Sequence, residues 1–330
     1  MLKTLITGGA GFIGGHLAKR LVAAGHTLHL VDNFARGVAD AELEALQKQP
    51  NVRFFKKDVL EPAALDAFDN DYDYVFHLAA IIGVSNVLKR PYAVLGDNVT
   101  MLLSLLSFAK RQTKLKRFVF ASTSEVYAGL LENFTLPIPT PESVALGLPD
   151  LKHPRTSYML SKIYGEALCH QSGLPFTLVR PHNFYGPRMG LSHVVPELLK
   201  RAYAAKDGDS LEVFSVDHRR TFCFIDDAVA MLELAATSEK TLNETLNLGT
   251  EAPEVTIGEL AQKIVDIVGR KLTLVPKPAT PGSPARRCPD MKKTAALTGY
   301  RSQVSLEDGI RRTFDWYRTN VFDGNATSAI

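Results

Sequence analysis

The feature that most constrains the fold is a regular alternation of two patterns over the first 181 residues. Short apolar runs, rich in β-branched and aromatic residues, alternate with longer stretches in which apolar residues recur at helical spacing. The runs are KTLIT, TLHLVD, VRFFKKD, YVFHLAA, RFVFAST and FTLVRP, and the helical stretches are Ile13–Ala24, Pro91–Arg111 and the segment around Tyr158. This alternation predicts an α/β fold in which a doubly wound parallel sheet carries helices on both faces.

The alternation stops after Pro181, and the remaining chain predicts a smaller lobe. Its patterns are a loop with glycine and proline, a helix at Val195–Ala205, a strand LEVF, a helix opened by aspartates 226 and 227, and a last helix near Leu306–Tyr317. We therefore predict a first domain of residues 1–181, to which a segment of about 215–248 returns. We also predict that residues 182–330 mainly form a smaller C-terminal α/β lobe.

Composition and charge exclude several classes of function. The chain has 330 residues, of which 45% are apolar and 22% charged, and its formal net charge is +3. Its basic residues are scattered rather than arranged in a stripe, so we expect no nucleic-acid partner. The sequence shows no long apolar stretch of the kind that spans a membrane, and its three cysteines have neither disulfide nor zinc-ligand spacing. These observations predict a cytoplasmic protein with no membrane partner and no metal.

A glycine-rich turn follows the first predicted strand and opens the first predicted helix. Gly8, Gly11 and Gly14 allow a sharp turn, the approach of a pyrophosphate to the backbone and close packing of helix on strand. Asp32, at the end of the second strand, is placed to accept hydrogen bonds from an adenosine ribose, and its charge would repel a 2′-phosphate. The pattern predicts NAD rather than NADP. Arg36 weakens this preference unless it is a solvated loop charge.

Tyr158 and Lys162 lie four residues apart in the helical segment RTSYMLSKIYGEAL. At this spacing both side chains lie on one face of a helix, so a phenol and an ammonium share one small volume. A tyrosine and a lysine four apart also occur on many solvated helices, where the pair has no chemical role. Motifs elsewhere in the chain are needed to decide whether Tyr158 and Lys162 form an acid–base pair or two solvated side chains.

Five motifs, in this order, make the chain resemble the extended short-chain dehydrogenase/reductase family. They are the glycine turn, HLAA at residues 77–80, ASTSEVY at residues 121–127, Tyr158-x-x-x-Lys162 and RPHNFYGPR at residues 180–188. The members with the most similar motifs are NAD-dependent sugar-nucleotide epimerases, dehydratases and decarboxylases. The resemblance spans the chain and implies a Rossmann fold, NAD as the cofactor and a nucleotide-diphosphate sugar as the substrate.

The resemblance implies catalytic and cofactor-binding roles. Tyr158 would take a proton from a sugar hydroxyl while C4 gives a hydride to NAD, and Lys162 would lower the pKa of the phenol and bind the nicotinamide ribose. Thr123 would hydrogen-bond the reacting sugar oxygen, with Ser122 nearer the cofactor and Glu125 following. The cofactor-binding residues predicted in this way are Gly8, Gly11, Phe12, Ile13, Gly14, Asp32, Asn33, Asp58, Val59, Leu78, Ala79, Ala80, Asn98, Tyr158 and Lys162.

Substrate-binding residues also follow from the resemblance. Asn183, Arg220 and Arg287 would bind the diphosphate, since a guanidinium is always charged and binds two oxygens at once. The alternative for each arginine is a surface ion pair. The full predicted set is Ser124, Asn183, Arg188, Val195, Phe214, Arg220 and Arg287.

Members of the family pair two helices of each subunit in a four-helix bundle, which predicts a homodimer. The matching helices are about residues 97–111 and 155–170. The apolar positions available for this contact are Leu102, Leu105, Leu106, Ile163 and Ala167. The alternative is that these residues belong to the subunit's own core.

Several functions remain open within the resemblance. A dehydratase usually carries Asp-Glu where this chain has Ser124-Glu125, which argues against dehydration. STSEVY and RRCPD favour a UDP-glucuronate decarboxylase, but the segment after GPRM departs from its pattern and offers no extra arginine for a C6 carboxylate. The sequence narrowly favours an NAD-dependent nucleotide-sugar epimerase that transiently oxidises C4. A non-enzymatic NAD sensor or scaffold is disfavoured because Tyr158, Lys162 and Thr123 are all present.

Overall fold

The protein is an α/β structure, and its computed structural model describes residues 1–61, 63–133, 136–148, 150–279 and 283–324. The strands are β1 (Lys3–Thr7), β2 (Thr27–Asp32), β3 (Val52–Lys56), β4 (Tyr74–His77), β5 (Arg117–Ala121), β6 (Phe176–Pro181), β7 (Phe184–Tyr185), β8 (Ser210–Phe214), β9 (Arg219–Arg220), β10 (Cys223–Phe224), β11 (Glu244–Leu248), β12 (Val255–Thr256), β13 (Thr273–Lys277) and β14 (Arg286–Arg287). The helices are α1 (Phe12–Ala23), α2 (Ala41–Gln47), α3 (Val84–Lys89), α4 (Pro91–Lys110), α5 (Ala128–Asn133), α6 (Thr156–Gln171), α7 (Val194–Ala204), α8 (Ile225–Thr237), α9 (Ile257–Val268), α10 (Lys292–Thr298) and α11 (Leu306–Tyr317).

Seven parallel strands form the central sheet, in the order β11-β6-β5-β4-β1-β2-β3. The order reverses between β1 and β4, because the chain first builds outward through β2 and β3 and then returns to add β4 on the other side. In open sheets of this kind, ligands bind beyond the carboxyl ends of the strands at the reversal. The predicted doubly wound parallel sheet is confirmed.

Both faces of the sheet are covered by helices, so adjacent residues of one strand belong to different cores. Ile6 of β1 lies in the core that contains Leu17 of α1 and Met231 of α8. Leu5 lies in the core that contains Leu102 and Leu105 of α4. Burial on both faces explains why these strands read as continuous apolar runs rather than as alternating ones.

Helix α4 is long and apolar enough, by length and composition alone, to cross a membrane. Its leucines Leu102, Leu105 and Leu106 are buried in the core beside the sheet, which accounts for this composition. The structure corrects the prediction that these three leucines are available for a contact between subunits. They belong to the subunit's own core because that face of α4 covers the sheet.

Helix α9 of the second lobe is an element that the sequence patterns above did not predict. Thr256 caps its first turn by accepting a hydrogen bond from the Glu259 N–H, and the Glu259 carboxylate accepts one from the Thr256 N–H. The helix ends at Gly269, whose φ of 77° is left-handed. A threonine followed three residues later by glutamate, and a glycine at the end, are the local signals that mark such a helix.

Candidate active site

A cleft of about 790 Å³ opens beyond the carboxyl ends of the central strands. One wall is built by the turns that follow β1, β2, β4 and β5. The opposite wall comes from the second lobe, through residues 188–193 and Arg287. The cleft therefore lies at the point where the strand order reverses, and it is lined by both halves of the chain.

The glycine turn between β1 and α1 lines one end of the cleft. Gly8 has a φ of 76°, a left-handed conformation that favours glycine. A Cβ atom on Gly14 would lie 2.1 Å from the backbone oxygen of Gly8, so a larger residue cannot occupy that position without moving the backbone. The turn thus brings the N-terminus of α1 close to the cleft, where its free N–H groups suit a pyrophosphate.

Asp32 ends β2 at the far side of the same turn. Its carboxylate accepts hydrogen bonds from the N–H groups of Ala10, at 3.1 Å, and Phe34, at 2.8 Å. Burial raises the pKa of Asp32, whereas these two N–H groups and the charge of Arg188 lower it. The carboxylate is fixed in orientation and lines the cleft, as a ribose-binding acid requires.

Tyr158 and Lys162 both lie on the buried face of α6 and line the cleft. The Lys162 ammonium donates to the backbone oxygen of Ala121 at 2.7 Å and lies 5.8 Å from the centre of the Tyr158 ring. Gly165, one turn later, allows this close packing, because a Cβ there would lie 2.4 Å from the Phe120 ring on β5. The helix is thereby held against the strand that carries the hydroxyl-rich loop.

Burial shifts the proton affinities of this pair in opposite directions. It raises the pKa of Tyr158, and the charge of Glu125 raises that pKa further, while a hydrogen bond with Thr123 lowers it. Burial lowers the pKa of Lys162 to about 8. Both shifts favour neutral side chains, so the phenol needs added positive charge in the cleft before it can act as a base near neutral pH.

A buried ion pair lies directly behind the catalytic helix face. Glu166, one turn beyond Lys162, accepts hydrogen bonds from Arg180 at 2.9 and 2.6 Å and from the Ser122 hydroxyl at 2.5 Å. Arg180 also donates to the Tyr127 hydroxyl, which donates to Asn247 on β11. This network joins α6, the loop after β5 and two neighbouring strands.

Glu125 and Arg287 lie in the cleft, and Arg220 lies next to Arg287. Glu125 and Arg287 both line the cleft, and the charge of Glu125 opposes the lowering of the Arg287 pKa that burial causes. Arg287 on β14 pairs in register with Arg220 on β9. Burial, followed by the charge of Arg287, lowers the pKa of Arg220 to about 10. Two adjacent guanidiniums of this kind are stabilised by a bound anion.

Comparison with known proteins identifies the family of the chain that forms this cleft. A profile of the NAD dependent epimerase/dehydratase family matches residues 4–249. The chain belongs to this family. NAD is its cofactor, and the glycine turn and Asp32 provide the features that binding this dinucleotide requires.

Similar proteins within the family differ in their reactions. The chain is 34% identical to the UDP-N-acetyl-α-D-glucosaminuronate decarboxylase of Bacillus cytotoxicus, over 96% of this chain and 98% of that protein. Its structure matches that of Thermotoga maritima UDP-glucose 4-epimerase, with a TM-score of 0.83 at 28% identity over 97% of this chain and 100% of that one. It also matches Bacillus cereus UDP-glucuronic acid 4-epimerase in complex with UDP-glucuronic acid and NAD, with a TM-score of 0.82 at 27% identity over 96% and 99% of the two chains.

The structure brings most of the predicted site residues together in the cleft. The predicted residues that line it are Gly8, Gly11, Phe12, Ile13, Gly14, Asp32, Asn33, Asp58, Val59, Leu78, Ala79, Ala80, Ser122, Thr123, Ser124, Glu125, Tyr158, Lys162, Asn183, Arg188 and Arg287. Asn98 is placed behind the lining, where its amide group binds the backbone N–H and oxygen of Ile81. It therefore supports the loop that lines the cleft.

Four residues predicted to bind substrate have other surroundings. Val195 is buried in the core of the second lobe, and Phe214 is half exposed on β8, so neither is part of the described lining. Arg220 donates to Ser283 and to the backbone oxygen of Pro284, behind Arg287. Arg188 lines the cleft, but its guanidinium binds Asp40, which places it on the cofactor side.

Arg36 is a residue of the site that sequence reasoning undervalued. The sequence left open whether Arg36 affects the choice of dinucleotide or is a solvated loop charge. Its side chain is exposed, and it lines the cleft. Its charge lowers the pKa of both Tyr158 and His193. The signal available in the sequence was its position four residues after Asp32.

NAD is expected to bind at least about tenfold more tightly than NADP, a difference of about 1.4 kcal/mol. The reason is that the Asp32 carboxylate, held by two N–H groups, lines the cleft at the end of β2, where an acidic residue binds the ribose hydroxyls and repels a 2′-phosphate. Calorimetric titration of the cofactor-free protein with each dinucleotide measures the difference. Asp32→Ala should narrow it, and equal affinities in the unmodified protein would contradict the assignment.

Proposed function

We propose that this enzyme decarboxylates a UDP-linked uronic acid through transient oxidation at C4. The observation that carries the proposal is the placement of Arg287 and Glu125 together in the cleft that holds Tyr158. In this proposal Arg287 binds the C6 carboxylate, whereas the resemblance assigned it to the diphosphate. It thereby provides the cation that the segment after GPRM does not offer. The 34% identity to a decarboxylase of a UDP-linked uronic acid supports the same reaction.

The residues of the cleft have defined tasks in this reaction. When bound, NAD supplies the acceptor for the C4 hydride and returns that hydride later. Tyr158 takes the proton of the C4 hydroxyl, which Thr123 orients. The positive groups near the buried phenol are Arg36, whose charge lowers the pKa of Tyr158, and Lys162, whose ammonium lies 5.8 Å from the centre of the Tyr158 ring. General acid–base help of this kind is worth about 10²- to 10⁴-fold in rate. Gly8, Gly11, Gly14 and Asp32 hold the dinucleotide.

Loss of the carboxylate follows from the C4 ketone. A ketone at C4 is β to the carboxylate on C5, so the C5–C6 bond breaks with its electrons passing toward the C4 oxygen, and carbon dioxide leaves. Arg287 binds the carboxylate before this step, in competition with Glu125. The resulting enolate takes a proton from water at C5. The C4 ketone then regains the hydride at C4 and the Tyr158 proton on its oxygen.

A nucleotide-sugar 4-epimerase is the second candidate, and the sequence alone narrowly favoured it. The structural matches to two 4-epimerases, at 28% and 27% identity, support this reaction. It uses the same Tyr158, Lys162 and Thr123 but retains the C6 group. The two reactions therefore differ in the mass of their product.

The deciding experiment supplies the enzyme and NAD with UDP-glucuronate, UDP-N-acetylglucosaminuronate and the UDP-glucose/UDP-galactose pair in separate reactions. We expect one of the two uronates to lose the mass of carbon dioxide. Mass spectrometry measures this loss, and the anomeric NMR signals report the conversion of the sugar. Interconversion of two sugars at unchanged mass would favour the epimerase instead. Stoichiometric release of NADH would contradict both, and Tyr158→Phe is the inactive control.

We also propose a homodimer formed through the outer faces of α4 and α6. The two helices pack side by side, and their outward residues include Leu103, 50% exposed, and Tyr164, 57% exposed. Sedimentation equilibrium at micromolar concentration is expected to give the dimer mass, and Leu103→Glu to give monomer. Leu151→Glu, at an exposed position outside these helices, is the matched control. A monomeric unmodified protein would contradict the proposal.

A further inference from the structure

A loop of the second lobe is bound tightly to the cofactor-binding loop across the cleft. Arg188, in the loop of residues 186–193, donates from Nε to Asp40 Oδ2 at 2.7 Å and from Nη2 to Asp40 Oδ1 at 3.1 Å. The two side chains are 3% and 14% exposed. A two-point contact between a guanidinium and a carboxylate at this degree of burial is strong and directional.

The same guanidinium also contacts the glycine turn. Its Nη2 group donates to the backbone oxygen of Ala10 at 3.3 Å and approaches that of Val38 at 3.5 Å. Ala10 is part of the turn, and residues 33–40 form the loop after Asp32. Arg188 therefore links the two segments that enclose the adenosine end of the cleft.

Two backbone features accompany this arrangement. Arg188 has a φ of 66°, a left-handed conformation that is strained for a non-glycine residue. Gly15 leaves room for the guanidinium, because a Cβ on Gly15 would lie 2.1 Å from Arg188 Nη1. A strained arginine and a matching glycine on α1 indicate that this position of the guanidinium is specific.

The C-terminal helix braces the same contact from outside. Trp316 of α11 donates from Nε1 to Glu42 of α2 at 2.5 Å, and the Tyr317 hydroxyl donates to the backbone oxygen of Met189. On the other side, His16 of α1 hydrogen-bonds the backbone oxygen of Pro187 at 3.0 Å. The loop of residues 186–193 is thus held in place by α1 and α11.

We infer that Arg188 is a cofactor-retention residue, whose contact with Asp40 holds the loop of residues 33–40 closed over NAD and slows its release. The reason for retention rests on the proposed function: the reaction is redox-neutral, so the reduced cofactor must stay until it returns its hydride. The release of NAD can be measured without any sugar substrate. A failure of this inference is therefore distinguishable from a failure of the proposed reaction.

The test measures release of NAD from the loaded enzyme without any nucleotide sugar. The holoenzyme is mixed with excess isotopically labelled NAD, and the unlabelled NAD remaining on the protein is followed by mass spectrometry. We expect Arg188→Met and Asp40→Asn to release NAD at least tenfold faster than the unmodified protein. Asn is as good a helix cap as Asp, so Asp40→Asn keeps the hydrogen bond from the Leu43 N–H that begins α2. Arg20→Met is the matched control: it removes the ion pair between Arg20 of α1 and Glu233 of α8, away from the cleft lining, and should leave the rate of release unchanged.

Gly15→Ala tests the inference without removing either charged group. Alanine is a better helix former than glycine, and the only close contact of its Cβ is the movable end of Arg188. We expect it to speed release as Arg188→Met does, and the Arg188→Met/Asp40→Asn double variant to be no faster than the faster single variant. Should Arg188→Met fail to fold, Gly15→Ala decides alone. Release at the unmodified rate in folded Gly15→Ala and Arg188→Met would overturn the inference.

Discussion

Tyr158→Phe is expected to lower turnover by about 10²- to 10⁴-fold while the protein still binds NAD and nucleotide sugar. The change removes one oxygen from the cleft, beside Lys162 and Thr123, and leaves the aromatic ring to pack as before. It takes nothing from the glycine turn or from Arg287. Turnover is followed by product mass, and binding of the uronate is followed by calorimetry.

Tyr164→Phe is the matched control for this experiment. Tyr164 lies on the same helix α6 but on its outer face, where it is 57% exposed and outside the cleft lining. The control should keep the full rate. If Tyr158→Phe kept more than about a tenth of the rate, well above the expected loss, the group that takes the proton would have to be another one.

Glu166→Gln is expected to destabilise the protein by about 3–5 kcal/mol, since it leaves a buried arginine without its counter-charge. Glu166 and Arg180 are 6% and 5% exposed, and their closest atoms are 2.6 Å apart. Glutamine keeps the shape and a carbonyl acceptor, but it removes the charge that Arg180 and Ser122 share. The free energy of unfolding is measured by urea titration with two independent probes.

Glu212→Gln supplies the comparison for an exposed ion pair. Glu212 lies 2.9 Å from Lys277, and the two side chains are 50% and 35% exposed, so solvent screens the pair and its loss should destabilise the protein far less than the loss of Glu166. An equal cost for the two variants would show that burial adds nothing to the Glu166–Arg180 pair. In the Glu166→Met/Arg180→Met double variant we expect a loss smaller than the sum of the two single losses, because no lone charge remains buried.

The elements of the first domain were predictable because their signals are local. A run of apolar residues bounded by glycine or charge defines each strand, and the helix predicted at Ile13–Ala24 lies at Phe12–Ala23. The predicted strand VRFFKKD ends early, at Lys56, because Lys57 and Asp58 turn into the cleft. Such end effects depend on what the chain meets at the sheet edge, which the local pattern does not contain.

The candidate site was predictable where spacing within one element decides which side chains meet. Tyr158 and Lys162 share a helix face, and the same spacing of four leads from Lys162 to Glu166, a signal that was present but not used. The contact of Arg188 with Asp40 joins two loops that are distant in the chain. No local pattern predicts such a contact, because it depends on how the second lobe packs on the first.

The position of β11 at the edge of the central sheet has a consequence for how the chain is made. The strand pairs with β6, and its Asn247 completes the hydrogen bonds of Tyr127, yet it follows the long segment that forms much of the second lobe. During synthesis, β6 therefore leaves the ribosome with an unpaired edge, which is prone to pair with other chains. The sheet can close only after residue 248 has emerged. The unpaired edge of β6 is thus covered only by a strand that is made after most of the intervening segment, residues 182–243.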